Sequence, residues 1–92
     1  MVFKEVGNEL PEFWQHEEEE DSIEGIFIKK LNDVGENKSI VYILEVEGIL
    51  RSVWASTVID SKMIHVTEGD RIRITYKGKE KNYKNYIVEK DE

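Results

Sequence analysis

Residues 53–79 constrain the fold more than any other part of the chain, because they read in order as a strand end, a short capped helix, a glycine turn and an alternating strand. In residues 71–77 the alternation is strict. Ile72, Ile74 and Tyr76 take one side, and Arg71, Arg73, Thr75 and Lys77 take the other. A period of two is that of a strand with one buried face. Just before it, Ile59, Met63 and Val66 recur at helical spacing. Thr57, the expected N-cap, and Asp60 three residues on have the form of a capping box, with aspartate in place of the usual glutamate. Two strand-like runs precede this stretch and one follows it. The order β1-β2-β3-α-β4-β5 is that of an all-β, five-stranded barrel with a helix plugging one open end.

The remaining elements follow from turn chemistry. The first strand is expected over residues 23–31, with Gly25 relieving the backbone where a small barrel bends. Residues 32–39 are turn-forming, rich in Asn, Asp and Gly. The second strand covers residues 40–46, and Glu47-Gly48 makes a tight hairpin into a third strand over residues 49–55. A two-residue turn sets Val46 opposite Ile49, Leu44 opposite Arg51, Tyr42 opposite Val53 and Val41 opposite Trp54. Ile40, Tyr42, Leu44, Val46, Ile49 and Val53 then form the core face. Val41, Ile43, Glu45, Leu50, Ser52 and Trp54 form a mixed outer face. Residues 78–84 read as a loop and residues 85–89 as the closing strand.

With 92 residues, of which 39% are hydrophobic, the chain has material for one small domain with a thin core. It has no cysteine, so packing and backbone pairing alone must hold it, as suits a cytosolic protein. The longest apolar run, residues 40–44, is far short of a membrane helix, and no basic-then-apolar leader opens the chain. A soluble, unprocessed, cytoplasmic protein without membrane attachment is expected. Residues 1–22 lack a sustained period and hold the only proline, Pro11, ahead of Phe13-Trp14 and the run Glu17-Glu18-Glu19-Glu20-Asp21. They are expected to form an acidic N-terminal arm outside a barrel domain of residues 23–89. One or both rings of Phe13 and Trp14 should lie against the barrel while the acidic run stays solvated.

The net charge of −7 changes meaning once divided along the chain. Residues 1–24 carry a net −8, residues 25–88 a net +3 and residues 89–92 a net −2. Within the barrel, Arg71, Arg73, Lys77, Lys79, Lys81 and Lys84 have only Glu80 as a counter-charge among their sequence neighbours. The field is therefore asymmetric. Lysines at strand ends also serve solubility and block edge pairing, a plainer reading of the same residues.

An aromatic pair and acidic stretch precede Ile23-Glu24-Gly25, and Tyr42 lies on a strand. Then come residues 53–60, Val-Trp-Ala-Ser-Thr-Val-Ile-Asp, and residues 69–79, Gly-Asp-Arg-Ile-Arg-Ile-Thr-Tyr-Lys-Gly-Lys. In these features the chain resembles a group of small OB-fold proteins from prophages and archaeal viruses regarded as single-stranded DNA-binding proteins. It departs from them at Ala55, where glycine is expected after the tryptophan. The departure leaves the fold intact and argues against very close approach of that backbone to a ligand.

The functional expectation is a sequence-tolerant single-stranded DNA-binding protein, in viral or plasmid replication or recombination, with RNA as a further possible ligand. Unpaired bases stack on aromatic rings while Lys and Arg follow the phosphates. The OB binding surface lies on the second and third strands and the loops beside them. Candidate residues are Trp54 and Arg51 on the third strand, Arg73 and Lys77 on the fourth, and Lys79, Lys81, Tyr83 and Lys84 in or beside the following loop. Tyr42 is included although the register places it in the core, and the same register turns Arg51 inward, where an unpaired charge is costly. The acidic arm is expected either to recruit another protein or to compete with DNA for the basic groove. The alternative reading is a protein-interaction OB module that docks a partner through this arm or an exposed strand edge. Catalysis is not expected: His16 and His65 lack carboxylate-histidine spacing, and no phosphate loop or nucleophile elbow is present. No metal or cofactor is expected either. His65 reads as a helix-end or packing histidine.

Overall fold

The computed structural model describes residues 10–91. Five strands, β1 (Ser22–Val34), β2 (Ser39–Val46), β3 (Ile49–Trp54), β4 (Arg71–Glu80) and β5 (Tyr83–Lys90), with one helix, α1 (Thr57–Met63), follow the expected order. They form a single antiparallel sheet in the order β3-β2-β1-β4-β5. The central strand β1 pairs with β4 through its first residues and with β2 through the rest, and the two pairings overlap only at Ile26. Gly25 lies beside that overlap. A Cβ there would penetrate the Glu45 carbonyl oxygen of the neighbouring strand, so glycine is required by close backbone approach.

The β2–β3 register is the expected one, with Tyr42 opposite Val53 and Val41 opposite Trp54. It follows from Glu47 and Gly48, both at positive φ (51° and 83°), which make the two-residue turn that matches strand twist. Tyr42, Leu44 and Val53 join Ile23, Phe27, Ile59, Met63, Ile72, Ile74, Tyr76 and Tyr86 in the core. Val41 and Ile43, expected on a mixed surface, are also buried. Trp54 stands opposite Val41, with Phe13 stacked on its ring.

Two local expectations need correction. The N-cap of α1 is Ser56, whose Oγ accepts the Ile59 N–H at 3.1 Å, rather than Thr57. Asp60 completes no capping box and instead accepts the Tyr42 hydroxyl at 2.6 Å. The expected loop over residues 78–84 is a strand hairpin: β4 continues to Glu80, β5 begins at Tyr83, and only Lys81 and Asn82 turn between them. Gly78, at φ 88°, sits in the register shift between Tyr76 and Lys79. A glycine bulge lets a strand kink and go on.

The arm is part of the packing. Ser52 of β3 donates its N–H to Glu12 O (2.9 Å) and its Oγ–H to Pro11 O (2.7 Å), while the Trp14 N–H donates to Ser52 O (2.8 Å). Phe13 thus lies parallel to β3 along its outer edge. Trp14 packs on the core, and His16 reaches Tyr76 and Tyr86 of β4 and β5. No hydrogen-bonded pairing joins β3 to β5 among the described residues, and side chains of the arm and α1 (Trp14, His16 and Ile59) line the seam between the sheet's two ends. Residues 1–9 of the arm and Glu92 of the tail lie outside the described residues. No helix among the described residues is long and apolar enough to cross a membrane.

Candidate functional site

The seam between β3 and β5 holds a cleft of about 260 Å³ lined by Trp14, His16, Val53, Trp54, Ala55, Ser56, Ile59, Lys84 and Tyr86. Each wall follows from local structure. Strand alternation turns Val53 inward and Trp54 outward at the end of β3, leaving the indole 50% exposed. Its orientation is set by Phe13, stacked on it at a centroid distance of 4.2 Å and 13° between planes. Two residues further along the extended arm from Trp14, His16 falls on the same side of the chain. Its ring stacks on Trp14 at 4.8 Å and meets Tyr76 edge-on at 4.3 Å. A 2.9 Å hydrogen bond joins His16 Nε2 to the Tyr86 hydroxyl. Lys84, the second residue of β5, supplies the cation at the cleft.

Burial lowers the His16 pKa below its ordinary 6.5, the nearby Lys84 lowers it further, and Asp21 partly opposes both. Burial also raises the Tyr86 pKa, with Tyr76 adding to the shift. Both groups are therefore neutral at pH 7. For a base whose folded pKa is lowered, the unfolded chain binds the extra proton first. Stability is then full above pH 6.5, falls as the pH drops through 6.5 toward the lowered value, and levels off below it. Urea midpoints should fall between about pH 7.5 and pH 5.5, and His16→Gln should flatten that part of the profile. Asp21, held below its ordinary 3.8 by the N–H groups of Glu17 and Glu18, loses its contribution as the pH falls from 3.8 through its own lowered value, a separate window.

The candidates from sequence divide into three groups. Trp54 and Lys84 meet at the cleft. Lys79 stands opposite Lys84 on the β4–β5 hairpin, Lys81 sits at its tip, and the half-exposed Tyr83 donates its hydroxyl to Glu80 at 2.9 Å. Among the described residues none of Lys79, Lys81 and Lys84 has an ion-pair partner. The second group, Arg73 and Lys77, carries charge that is already matched, as does the neighbouring Arg71 of β4. Arg71 donates twice to Glu24 (3.1 and 2.7 Å), Arg73 donates to Glu89 (3.0 Å), and Lys77 is hydrogen-bonded to Glu20. Glu80 is thus not their only counter-charge in space.

The third group lies away from the cleft. Tyr42 is 2% exposed, with its pKa raised by burial and then by the Asp60 carboxylate, and has no face to offer a ligand. Arg51, opposite Leu44, points inward beside Trp14, Gly25 and Val46, and its buried Nε has no hydrogen-bond partner among the described residues. It borders a different depression from Trp54. His65 is exposed just beyond α1. No group of three or more His, Cys, Asp or Glu side chains that could hold a metal ion occurs among the described residues.

Sequence reasoning missed Trp14, His16 and Tyr86 as cleft residues. The available signal was the i, i+2 spacing of Trp14 and His16 in an extended arm, which puts both rings on one side. No family model, curated protein or solved structure matches this chain.

Proposed function

We propose that this chain is an OB-fold protein that binds single-stranded DNA with little sequence preference, a cytoplasmic factor of viral or plasmid replication or recombination. The carrying observation is the half-exposed Trp54, held flat by Phe13 at the mouth of a cleft that also contains Lys84. A ring fixed in one orientation stacks a base at little entropic cost, and a cation beside it meets the adjoining phosphate. The strand order supports the fold assignment, since β3-β2-β1-β4-β5 is the order of an OB barrel opened between β3 and β5. Lys79 and Lys81 extend the cationic track away from the cleft along the hairpin. Stacking requires an exposed base face, which duplex DNA lacks outside its ends. Single strands are therefore the favoured ligand, and RNA is tested beside DNA.

Titration with oligo-dT at low salt should quench tryptophan emission, and added salt should weaken the effect. A flat titration at low salt would overturn the proposal.

A further inference from the structure

Residues 17–21 form a built turn. Asp21 Oδ2 accepts the N–H groups of Glu17 (3.0 Å) and Glu18 (3.1 Å), and the Asp21 N–H donates to Glu18 O (3.1 Å). Two backbone bonds then join the turn to β4: Glu20 N–H to Tyr76 O and Tyr76 N–H to Asp21 O, both 2.8 Å. Glu20 is held at φ 77°, a left-handed conformation that favours glycine. Strain of this kind persists only where the surroundings over-determine it, and it concentrates at switches and ligand clamps. A glycine would fit this backbone better. What glutamate adds is a carboxylate, and that carboxylate is hydrogen-bonded to Lys77.

Its neighbour Glu19 lies over the β4 bulge, so that a Cβ added to Gly78 would stand 2.6 Å from Glu19 Oε1. Two carboxylates therefore cover β4 at the base of the hairpin that presents Lys79, Lys81 and Lys84. Carboxylate oxygens on a lysine, beside a glycine with no side chain to keep an anion away, make the kind of contact a phosphate would make there.

We propose that the acidic turn is an intramolecular competitor for single-stranded DNA, with Glu19 and Glu20 occupying a phosphate position at Lys77 and Gly78. This rests on the single-strand reading. Binding along β4 requires the two side chains to swing away while the turn's backbone stays paired. The chain then discriminates against short or weakly charged ligands, which do not repay the loss of the Lys77–Glu20 bond. Lys77 becomes a phosphate contact once released.

The test compares three full-length variants with the wild type in oligo-dT titrations over a range of salt. Glu20→Gln removes the charge and keeps the side chain. Glu20→Gly removes the side chain and suits the left-handed backbone. Glu36→Gln makes the same change of net charge at an exposed turn between β1 and β2. Both Glu20 variants should tighten binding about two- to five-fold at low salt, the range expected for freeing one exposed ion pair. They should also steepen the slope of log affinity against log salt by about 0.7. Glu20→Gly should do so with an undiminished melting temperature, and Glu36→Gln should have a clearly smaller effect. If wild type binds and the Glu20 variants bind no tighter than Glu36→Gln, the competitor is overturned and the single-strand reading stands. If neither wild type nor any variant binds, the single-strand reading fails and the competitor fails with it.

Discussion

Replacing Trp54 with alanine should lower affinity for oligo-dT about 5- to 150-fold at low salt, the 1–3 kcal/mol that one base-stacking ring contributes. The fold should survive, because the indole is half exposed and its stacking partner Phe13 is pinned through the backbone of Glu12, Trp14 and Ser52. Calorimetry or fluorescence anisotropy with labelled oligo-dT gives the affinity, and a melting curve checks the fold. The slope against salt should stay near that of the wild type, since no cation is removed. Lys84→Ala should do the opposite, with a modest loss of affinity and a shallower slope. That contrast separates a stacking residue from a phosphate contact. Equal affinity of Trp54→Ala and wild type would remove Trp54 from the binding surface.

The second large effect concerns the fold. Gly25→Ala should destabilise the protein by about 3 kcal/mol, the upper end for overpacking. The obstacle is the Glu45 carbonyl of a paired strand, with Val46 Cγ2 a further 3.0 Å contact, and a backbone group cannot rotate away as a side chain can. For a domain of this size the change lowers the melting temperature by roughly 12–24 °C. Thermal unfolding followed by circular dichroism measures it. A drop of a degree or two would mean that β1 and β2 do not approach as closely as the structure has them.

The fold was legible where local chemistry acts over a few residues. The Glu47-Gly48 turn determined the β2–β3 register, and with it the inward Tyr42 and the outward Trp54. Strict alternation did the same for Ile72, Ile74 and Tyr76. The errors arose where one residue type serves two purposes. Gly78 reads equally as a turn or a bulge, and only pairing of Lys79 with Lys84 across the hairpin decides for the bulge. Ser56 and Thr57 are both competent N-caps, and the extended backbone of Ser56 (φ −142°, ψ 167°) selects it.

The candidate site was legible in part for a different reason. Trp54 and the hairpin lysines carry their signal in residue type and strand parity. The matching of Arg73 by Glu89, of Arg71 by Glu24 and of Lys77 by Glu20 depends on pairs 16, 47 and 57 residues apart, which no local count of charge can foresee. The same holds for His16 and Tyr86, 70 residues apart. The charge that distinguishes a binding face from a balanced one is set by topology, and here, among the described residues, it leaves Lys79, Lys81 and Lys84 around the β4–β5 hairpin without ion-pair partners while Arg71, Arg73 and Lys77 are matched.

The most direct test of single-strand binding is a comparison of oligo-dT, a duplex of equal length and the matching RNA single strand, each titrated at several salt concentrations. Binding by base stacking predicts that single strands bind more tightly than duplex at every salt, and that a residual affinity from stacking persists where the electrostatic part is screened. Equal binding to all three that vanishes together as salt rises would mean that charge alone is sensed, and would contradict it.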